Sequence, residues 1–184
     1  MNEYTKNKYF PFVAIFVSKL IVVLISSFIV KKMILLIIKN YNKIDYLIII
    51  VMIILTIILT IFSVIACIIN YQIIKLFFLG SNFNERMKVH EFLSVNSLAS
   101  LFNSLLLLVI FCIINFVSGF EFLKNNWSNI SKVLITVFNL FTLCIIGIYI
   151  KKKINYKSTL ICVIICLIPY TCFNCIGWAV KYFL

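Results

Sequence analysis

The residues that could carry chemistry in this 184-residue chain are, first, its seven cysteines. Four of them are spaced as metal-ligand pairs are, namely Cys162 with Cys166 and Cys172 with Cys175. Both pairs fall in an apolar stretch that has no histidine or carboxylate, so we interpret them as small, polarizable packing residues. All seven cysteines lie inside apolar runs, and the number is odd, which argues against a disulfide framework.

Other catalytic signatures are missing from the sequence. The single histidine, His90, stands beside Glu91 without a further ligand nearby, and we interpret it as a solvated loop residue rather than a metal ligand. The four glycines are isolated, so no phosphate-binding loop is formed. We therefore expect a protein that is not an enzyme and has no catalytic, cofactor-binding or metal site.

Lys19 lies near the middle of the first apolar run. A lysine at the centre of a membrane span costs about 2.5–3.5 kcal/mol on insertion scales. All five acidic residues lie outside the apolar runs, so none is placed to pair with it inside the membrane. We favour a snorkelling side chain whose amine reaches the interface. The alternative is a residue that lines a polar cavity.

A stripe of small polar side chains occupies about a third of the circumference of the third apolar run. Its members are Asn96, Ser97, Ser100, Asn103 and Ser104. We favour hydrogen bonding between helices, at about 0.6 kcal/mol per contact. The alternative is one wall of a substrate path. Asn139 and Asn174 are further candidates, because each places an amide inside a later apolar run.

The elements that must position these residues are membrane helices. The chain is 64% hydrophobic and only 12% charged, whereas soluble domains are about 25% charged. Apolar runs of about 20 residues recur, and each can cross about 30 Å of hydrocarbon as a helix. The sequence predicts an all-α polytopic membrane protein, a bundle of five transmembrane helices in one domain. The predicted spans cover about residues 10–30, 47–69, 92–117, 132–150 and 158–180.

The formal charge of +12 does not indicate nucleic acid binding. The 17 basic residues lie almost entirely between the apolar runs, where they orient the spans and contact anionic headgroups of the lipid bilayer. The densest group lies between the last two predicted spans: Lys151, Lys152, Lys153 and Lys157. We predict that this loop and the N terminus are cytoplasmic, in the cell membrane, or in an endomembrane if the chain is eukaryotic.

Two stretches resemble the Yip1 family of five-span membrane proteins, in its compact, bacterial-type form. The first is Lys88–Ile114, where a polar connection leads into a span. The second is Leu134–Ile164, with the run Val137–Leu143, then Gly147, then the basic loop and Lys157–Leu160. The resemblance implies a five-span, non-enzymatic protein that organises membranes or associates with other membrane proteins or with itself. Cys144 and Phe102 depart from the family pattern, which often has Trp and Pro there.

A second function remains open on the residues alone. The chain could be a small transport component, such as the membrane subunit of an exporter or a peptide-resistance protein. Lys19 and the polar stripe of the third span would then line the path.

Overall fold

The chain forms five helices in its computed structural model, which describes residues 9–37, 44–78 and 83–183. The helices are α1 (Phe10–Ile37), α2 (Ile44–Phe77), α3 (Phe83–Arg86), α4 (Val89–Ile154) and α5 (Thr159–Phe183). Within these ranges, the side chains of residues 33–37, 44–45, 47, 84–85 and 172–183 lie outside the description. The all-α class predicted from composition is confirmed.

Three of these helices contain stretches long and apolar enough to cross a membrane. These are Phe10–Lys32, Ile48–Phe77 and Val89–Ile154, with mean hydropathies of 2.7, 3.3 and 2.5. Residues Thr159–Thr171 of α5 form a shorter apolar stretch among the described residues. The class of α-helical membrane protein therefore holds, whereas the part of the chain that the structure describes contains three such helices and not five.

The third and fourth predicted spans are parts of one helix, and the expected loop at 118–131 is helical. Only Gly119 leaves the helical conformation, with φ 75° and ψ 172°. That region is essentially restricted to glycine, since a Cβ clashes there. The polar residues that suggested a loop instead bond within the helix. Asn126 Nδ2, for example, donates to the carbonyl of Phe122 at 3.1 Å. We call residues 89–118 and 120–154 the first and second arms of α4.

The two arms of α4 fold back on each other at Gly119. Near the bend, the rings of Phe111 and Trp127 meet edge to face with centroids 5.1 Å apart. Halfway along, Asn103 bonds Thr142, and at the far ends Lys153 contacts Glu91. The farther a pair lies from Gly119, the larger the sequence separation of its two residues, so the arms are antiparallel.

Two apolar clusters mark the ends of the bundle. The Tyr71 cluster comprises Ile15, Cys67, Tyr71, Ile74, Phe78, Phe83, Met87, Phe92, Leu93, Val95, Ile146, Ile150, Ile154, Cys162 and Cys166. The Leu123 cluster comprises Ile21, Ile25, Ile29, Leu107, Phe111 and Leu123. α1 contributes to both, from Ile15 in the first to Ile29 in the second, so its beginning lies at the Tyr71 end.

The connection between α4 and α5 is shorter than predicted. The expected loop at 151–157 begins later, because α4 continues to Ile154 and takes Lys151, Lys152 and Lys153 into its last turn. Asn155 ends the helix in the left-handed conformation, with φ 55°, which asparagine tolerates better than most residues. The Arg86 guanidinium also donates to the carbonyl of Ile154 at 3.2 Å.

α5 packs closely on the second arm of α4 at Gly147. A Cβ atom at Gly147 would lie 2.6 Å from Val163 Cγ2 and 2.9 Å from Val163 Cα. The contact therefore depends on a residue without a side chain, as in many close crossings of membrane helices.

A polar cavity inside the bundle

A polar cavity of about 380 Å³ lies between α1, α2 and both arms of α4. α1 contributes Ile15, Ser18, Lys19 and Val22, and α2 contributes Leu59, Ser63, Ala66, Cys67 and Asn70. The arms of α4 contribute Asn96, Ser100, Asn103, Ser104, Leu107, Ile135, Phe138, Asn139 and Thr142. Amide, hydroxyl and ammonium groups from distant parts of the chain thus meet in one place.

Five of the six candidates chosen from the sequence line this cavity: Lys19, Asn96, Ser100, Asn103 and Asn139. The side chain of the sixth, Asn174, lies outside the described residues. Lys19 is half-buried at the cavity wall. A residue that lines a polar cavity was the alternative to the snorkelling side chain that we favoured from the sequence.

The cavity has further polar wall residues that sequence analysis did not select: Ser18, Ser63, Asn70 and Thr142. Ser18 directly precedes Lys19, Asn70 lies just past the predicted span 47–69, and Ser63 and Thr142 are hydroxyl residues within predicted spans. A list of all polar residues in and next to each span would have included them. Which of these residues point into the cavity depends on how each helix is rotated about its axis, and the sequence does not show that.

Ser18 and Ser100 join α1 to the first arm of α4. Their hydroxyl oxygens lie 2.9 Å apart, and the Ser18 hydroxyl also lies 3.2 Å from the carbonyl oxygen of Ser100. Ser18 is buried, with 2% of its surface exposed. A buried hydroxyl costs free energy unless it is bonded, so this contact favours one fixed packing of the two helices.

Asn103 joins the two arms of α4 along the same wall. Its Nδ2 donates to Thr142 Oγ1 at 2.6 Å and to the carbonyl of Phe138 at 3.0 Å. Asn96 reaches α2, where its Nδ2 lies 3.2 Å from Cys67 Sγ. Asn96, Ser100 and Asn103 of the polar stripe therefore bond across helices, as favoured from the sequence, and they also line the cavity. Ser97 and Ser104 bond within their own helix.

Two wall residues hold amide oxygens that accept no hydrogen bond. Asn70 Oδ1 and Asn103 Oδ1 are both buried and have no donor within the described part of the chain. Over the same residues, Lys19 makes no ion pair or hydrogen bond. The wall thus presents one uncompensated amine and two unsatisfied acceptors, whereas buried polar groups are normally bonded.

The cysteines and His90 do not assemble a second site. Cys162 and Cys166 are buried in the Tyr71 cluster, in keeping with packing roles. Within residues 9–37, 44–78 and 83–183, no group of three or more potential metal-ligating side chains occurs. The interpretation of His90 as a solvated loop residue is wrong, because it lies in the first turn of α4 with Nε2 buried and unbonded among the described residues.

The topology lysines gather at the Tyr71 end of the bundle. Lys153 Nζ lies 3.0 Å from Glu91 Oε1, which pairs the end of the second arm with the start of the first. Lys152 and Lys157 are exposed. At the opposite end, Lys32 Nζ lies 4.9 Å and 4.8 Å from the ring centroids of Phe28 and Phe120, within the range of cation–π attraction.

Larger cavities are apolar and carry less chemical information. One of about 740 Å³ lies between α1, the start of α2 and the bend of α4. Another of about 550 Å³ lies between the arms of α4 and has almost no polar surface. Grooves of this kind are expected on a protein whose solvent is lipid, so the polar cavity is the candidate site.

Comparisons of this chain with protein-family models, with curated proteins and with solved structures find no match.

Proposed function

We propose that this chain is a non-enzymatic integral membrane protein that acts by helix association within the bilayer. It would organise the membrane or assemble with other membrane proteins or with a second copy of itself. The exposed apolar surface of α2 carries the proposal.

α2 is the most apolar spanning helix and the least covered. Only 6% of its most apolar window is buried, against 33% in α1 and 28% in α4. Its exposed large side chains cover most of the helix circumference, among them Ile49, Val51, Leu55 and Ile57, and the buried side includes Thr56, Cys67 and Ile74. A helix that is apolar all round belongs inside a membrane or a larger assembly, so α2 offers a nearly complete helix surface to lipid or to a partner.

We further propose that five segments cross the membrane, with the two arms of α4 as separate crossings. The support is the reversal at Gly119 and the antiparallel contacts between the arms. At 1.5 Å per residue, the arms reach about 45 Å and 50 Å, which exceeds the roughly 30 Å of a hydrocarbon core.

The proposed orientation places the Tyr71 end in the cytoplasm of a cell-membrane protein. The start of α1, Arg86 and the lysine run at the end of α4 all lie at this end. Ile15 near the start of α1, Met87 beside Arg86 and Ile154 beside the lysine run all pack in the Tyr71 cluster. Cytoplasmic connections carry an excess of lysine and arginine, which supports this orientation.

Cysteine labelling from outside intact cells tests the orientation at both ends. Asn155→Cys should stay unlabelled by a membrane-impermeant reagent, and Glu121→Cys, beside the bend, should be labelled. Both positions are exposed. The unsubstituted chain gives the background, because its cysteines lie in apolar helices. Labelling of Asn155→Cys alone would overturn the orientation.

The resemblance to the Yip1 family enters as part of the proposal. Its second stretch, Leu134–Ile164, comprises most of the second arm of α4 and the start of α5. Gly147 is one of the residues that carry the resemblance, and its close contact with Val163 offers a packing reason for glycine there.

Photo-crosslinking from the exposed face of α2 tests the association. A photoreactive amino acid at Ile57 should give adducts with a second tagged copy or with another membrane protein in native membranes. The matched control is Val133 on the second arm of α4, which is also exposed, at 63% against 46% for Ile57. Adducts with lipid alone at Ile57 would refute association through α2.

The polar cavity favours a second candidate, a small transport component. Here Lys19 and Asn103 would line a path, and Lys19→Leu and Asn103→Leu should both abolish flux or resistance while the protein stays folded. In a packing scaffold, Lys19→Leu should be tolerated or stabilising and only Asn103→Leu should weaken the structure. The two functions therefore differ in the outcome at Lys19.

A further inference from the structure

We infer that the polar cavity binds a compact anionic group that carries its own hydrogen-bond donor, with Lys19 as the counter-charge. Amino acids and hydroxy acids are soluble molecules of this class, and the headgroup of phosphatidylglycerol presents the same chemistry. The inference concerns binding alone and does not rest on the proposed function.

The charge requirement comes from Lys19. Lys19 lies in the middle third of the Phe10–Lys32 span and is one of the residues that line the cavity. In the described part of the chain it forms no ion pair, and all five acidic residues lie outside the predicted spans. Ionisable residues at this depth pair with an opposite charge or line a pathway. An anion in the cavity would supply the charge that the chain does not.

The donor requirement comes from two asparagines. The Oδ1 atoms of Asn70 and Asn103 are buried without a donor among the described residues, and both residues line the cavity. Asn103 has already committed its amide N–H groups to Thr142 and Phe138, so its oxygen needs a donor from beyond the described residues. A simple anion has none to offer, whereas a hydroxy acid, an amino acid or a glycerol headgroup has.

The volume of the cavity fits a small polar molecule. Small-ligand pockets usually measure about 300–1,000 Å³, and this one measures about 380 Å³. Its walls mix a few polar groups with Ile15, Val22 and Leu107, which is the usual make-up of a ligand site. Water could also fill the space at about 30 Å³ per molecule, and the test must separate these cases.

Thermal unfolding of the full chain in nanodiscs of phosphatidylcholine tests the inference. Lactate and alanine should raise the melting temperature with a saturable concentration dependence, because a ligand that binds only the folded state stabilises it by mass action. Propionate lacks the donor that lactate carries, and should bind about fivefold more weakly. Lys19→Met should abolish the stabilisation by all three compounds.

Two further variants keep the test decisive. Lys132→Met removes an exposed lysine from the second arm of α4 and should respond as the unsubstituted chain does. Asn70→Ala should reduce the advantage of lactate over propionate, and it provides the test if Lys19→Met does not fold. Equal stabilisation of the unsubstituted chain and Lys19→Met, or equal binding of lactate and propionate, would overturn the inference.

Nanodiscs that contain phosphatidylglycerol separate the two sources of the ligand. If this lipid stabilises the unsubstituted chain but not Lys19→Met, and the soluble compounds have no effect, the group is a lipid headgroup. If the soluble compounds alone stabilise the chain, the ligand is a free solute. If neither phosphatidylglycerol nor the soluble compounds stabilise the chain in a way that depends on Lys19, the cavity holds only water and the inference is overturned.

Discussion

Gly147 of α4 and Val163 of α5 lie so close that a methyl group on Gly147 would sit 2.6 Å from Val163 Cγ2. The Cα and N atoms of Val163 follow at 2.9 Å and 3.0 Å. A side chain can rotate away from such a clash, but the backbone of a packed helix cannot without moving the helix. The position of α5 on α4 therefore depends on this glycine.

Gly147→Ala should loosen the packing of α5. Overpacking of this kind costs about 1–3 kcal/mol, and its effect should appear as a lower free energy of unfolding in a detergent-denaturation series. Ile148→Ala is the control, because Ile148 is the next residue along the helix and 55% exposed. If Gly147→Ala were no more destabilising than Ile148→Ala, α5 would not pack on α4 as closely as the Gly147–Val163 contact requires.

Gly119→Ala should destabilise the reversal of α4 through the backbone alone. A Cβ at Gly119 would meet nothing within 4 Å beyond its own and the adjacent residues, so no contact with other parts of the protein contributes. The conformation at φ 75° and ψ 172° nevertheless costs a residue with a side chain about 1–3 kcal/mol. Unfolding followed by Trp127 fluorescence would measure the loss, since Trp127 packs on Phe111 across the bend.

Ser118→Ala is the matched control for the bend. It changes the preceding residue, which is helical and exposed, and should have little effect. An unchanged free energy of unfolding for Gly119→Ala would show that the chain does not reverse through this conformation.

Asn103→Leu should weaken the contact between the two arms of α4. It removes the bonds to Thr142 Oγ1 and the Phe138 carbonyl, and such bonds contribute about 0.6 kcal/mol on average, with a maximum near 1.7. Asn126→Leu is the control, because Asn126 is bonded only within its own helix.

A double-mutant cycle of Asn103→Leu with Thr142→Val isolates the side-chain bond between the arms. We expect a coupling energy of about 0.5 kcal/mol or more. Additive effects of the two substitutions would show that the bond makes no contribution to stability.

Removing the ion pair between Glu91 and Lys153 should change the free energy of unfolding only slightly. Their side chains are 27% and 36% exposed, and exposed ion pairs contribute about 0–1 kcal/mol. Glu91→Gln should therefore cost less than 1 kcal/mol, and raising the salt concentration should reduce the difference from the unsubstituted chain. A large, salt-independent loss would contradict this view.

The sequence led to the membrane class, and five of the residues that it selected for packing or a polar path line the cavity. Lys19 and Asn103 were selected because a polar residue in an apolar run is costly wherever it lies. That cost depends on the local sequence, so it can be predicted without knowing the fold. Asn70 was not selected because it falls just outside the predicted span 47–69, whereas α2 continues to Phe77. Thr142 was not selected because it belongs to the cavity only through its neighbours.

The number of separate spanning helices was the main error, and it has a local cause. Residues 118–131 combine Ser, Gly, Asn and Lys, a composition typical of loops. The structure places only Gly119 outside the helix. Composition shows that residues 118–131 are more polar than their surroundings. It does not show whether all fourteen residues leave the helical conformation or only one.

Hydrophobicity alone determined that this chain is built from apolar helices and where its basic residues interrupt them. The free energy of transferring a helix into lipid is approximately a sum of contributions from its residues, so it can be calculated from the sequence. Only the tertiary structure decided that Lys19, Asn96, Ser100, Asn103 and Asn139 meet at one cavity. That meeting depends on the rotation of each helix about its axis, which Gly119, Gly147 and the contacts between helices set together.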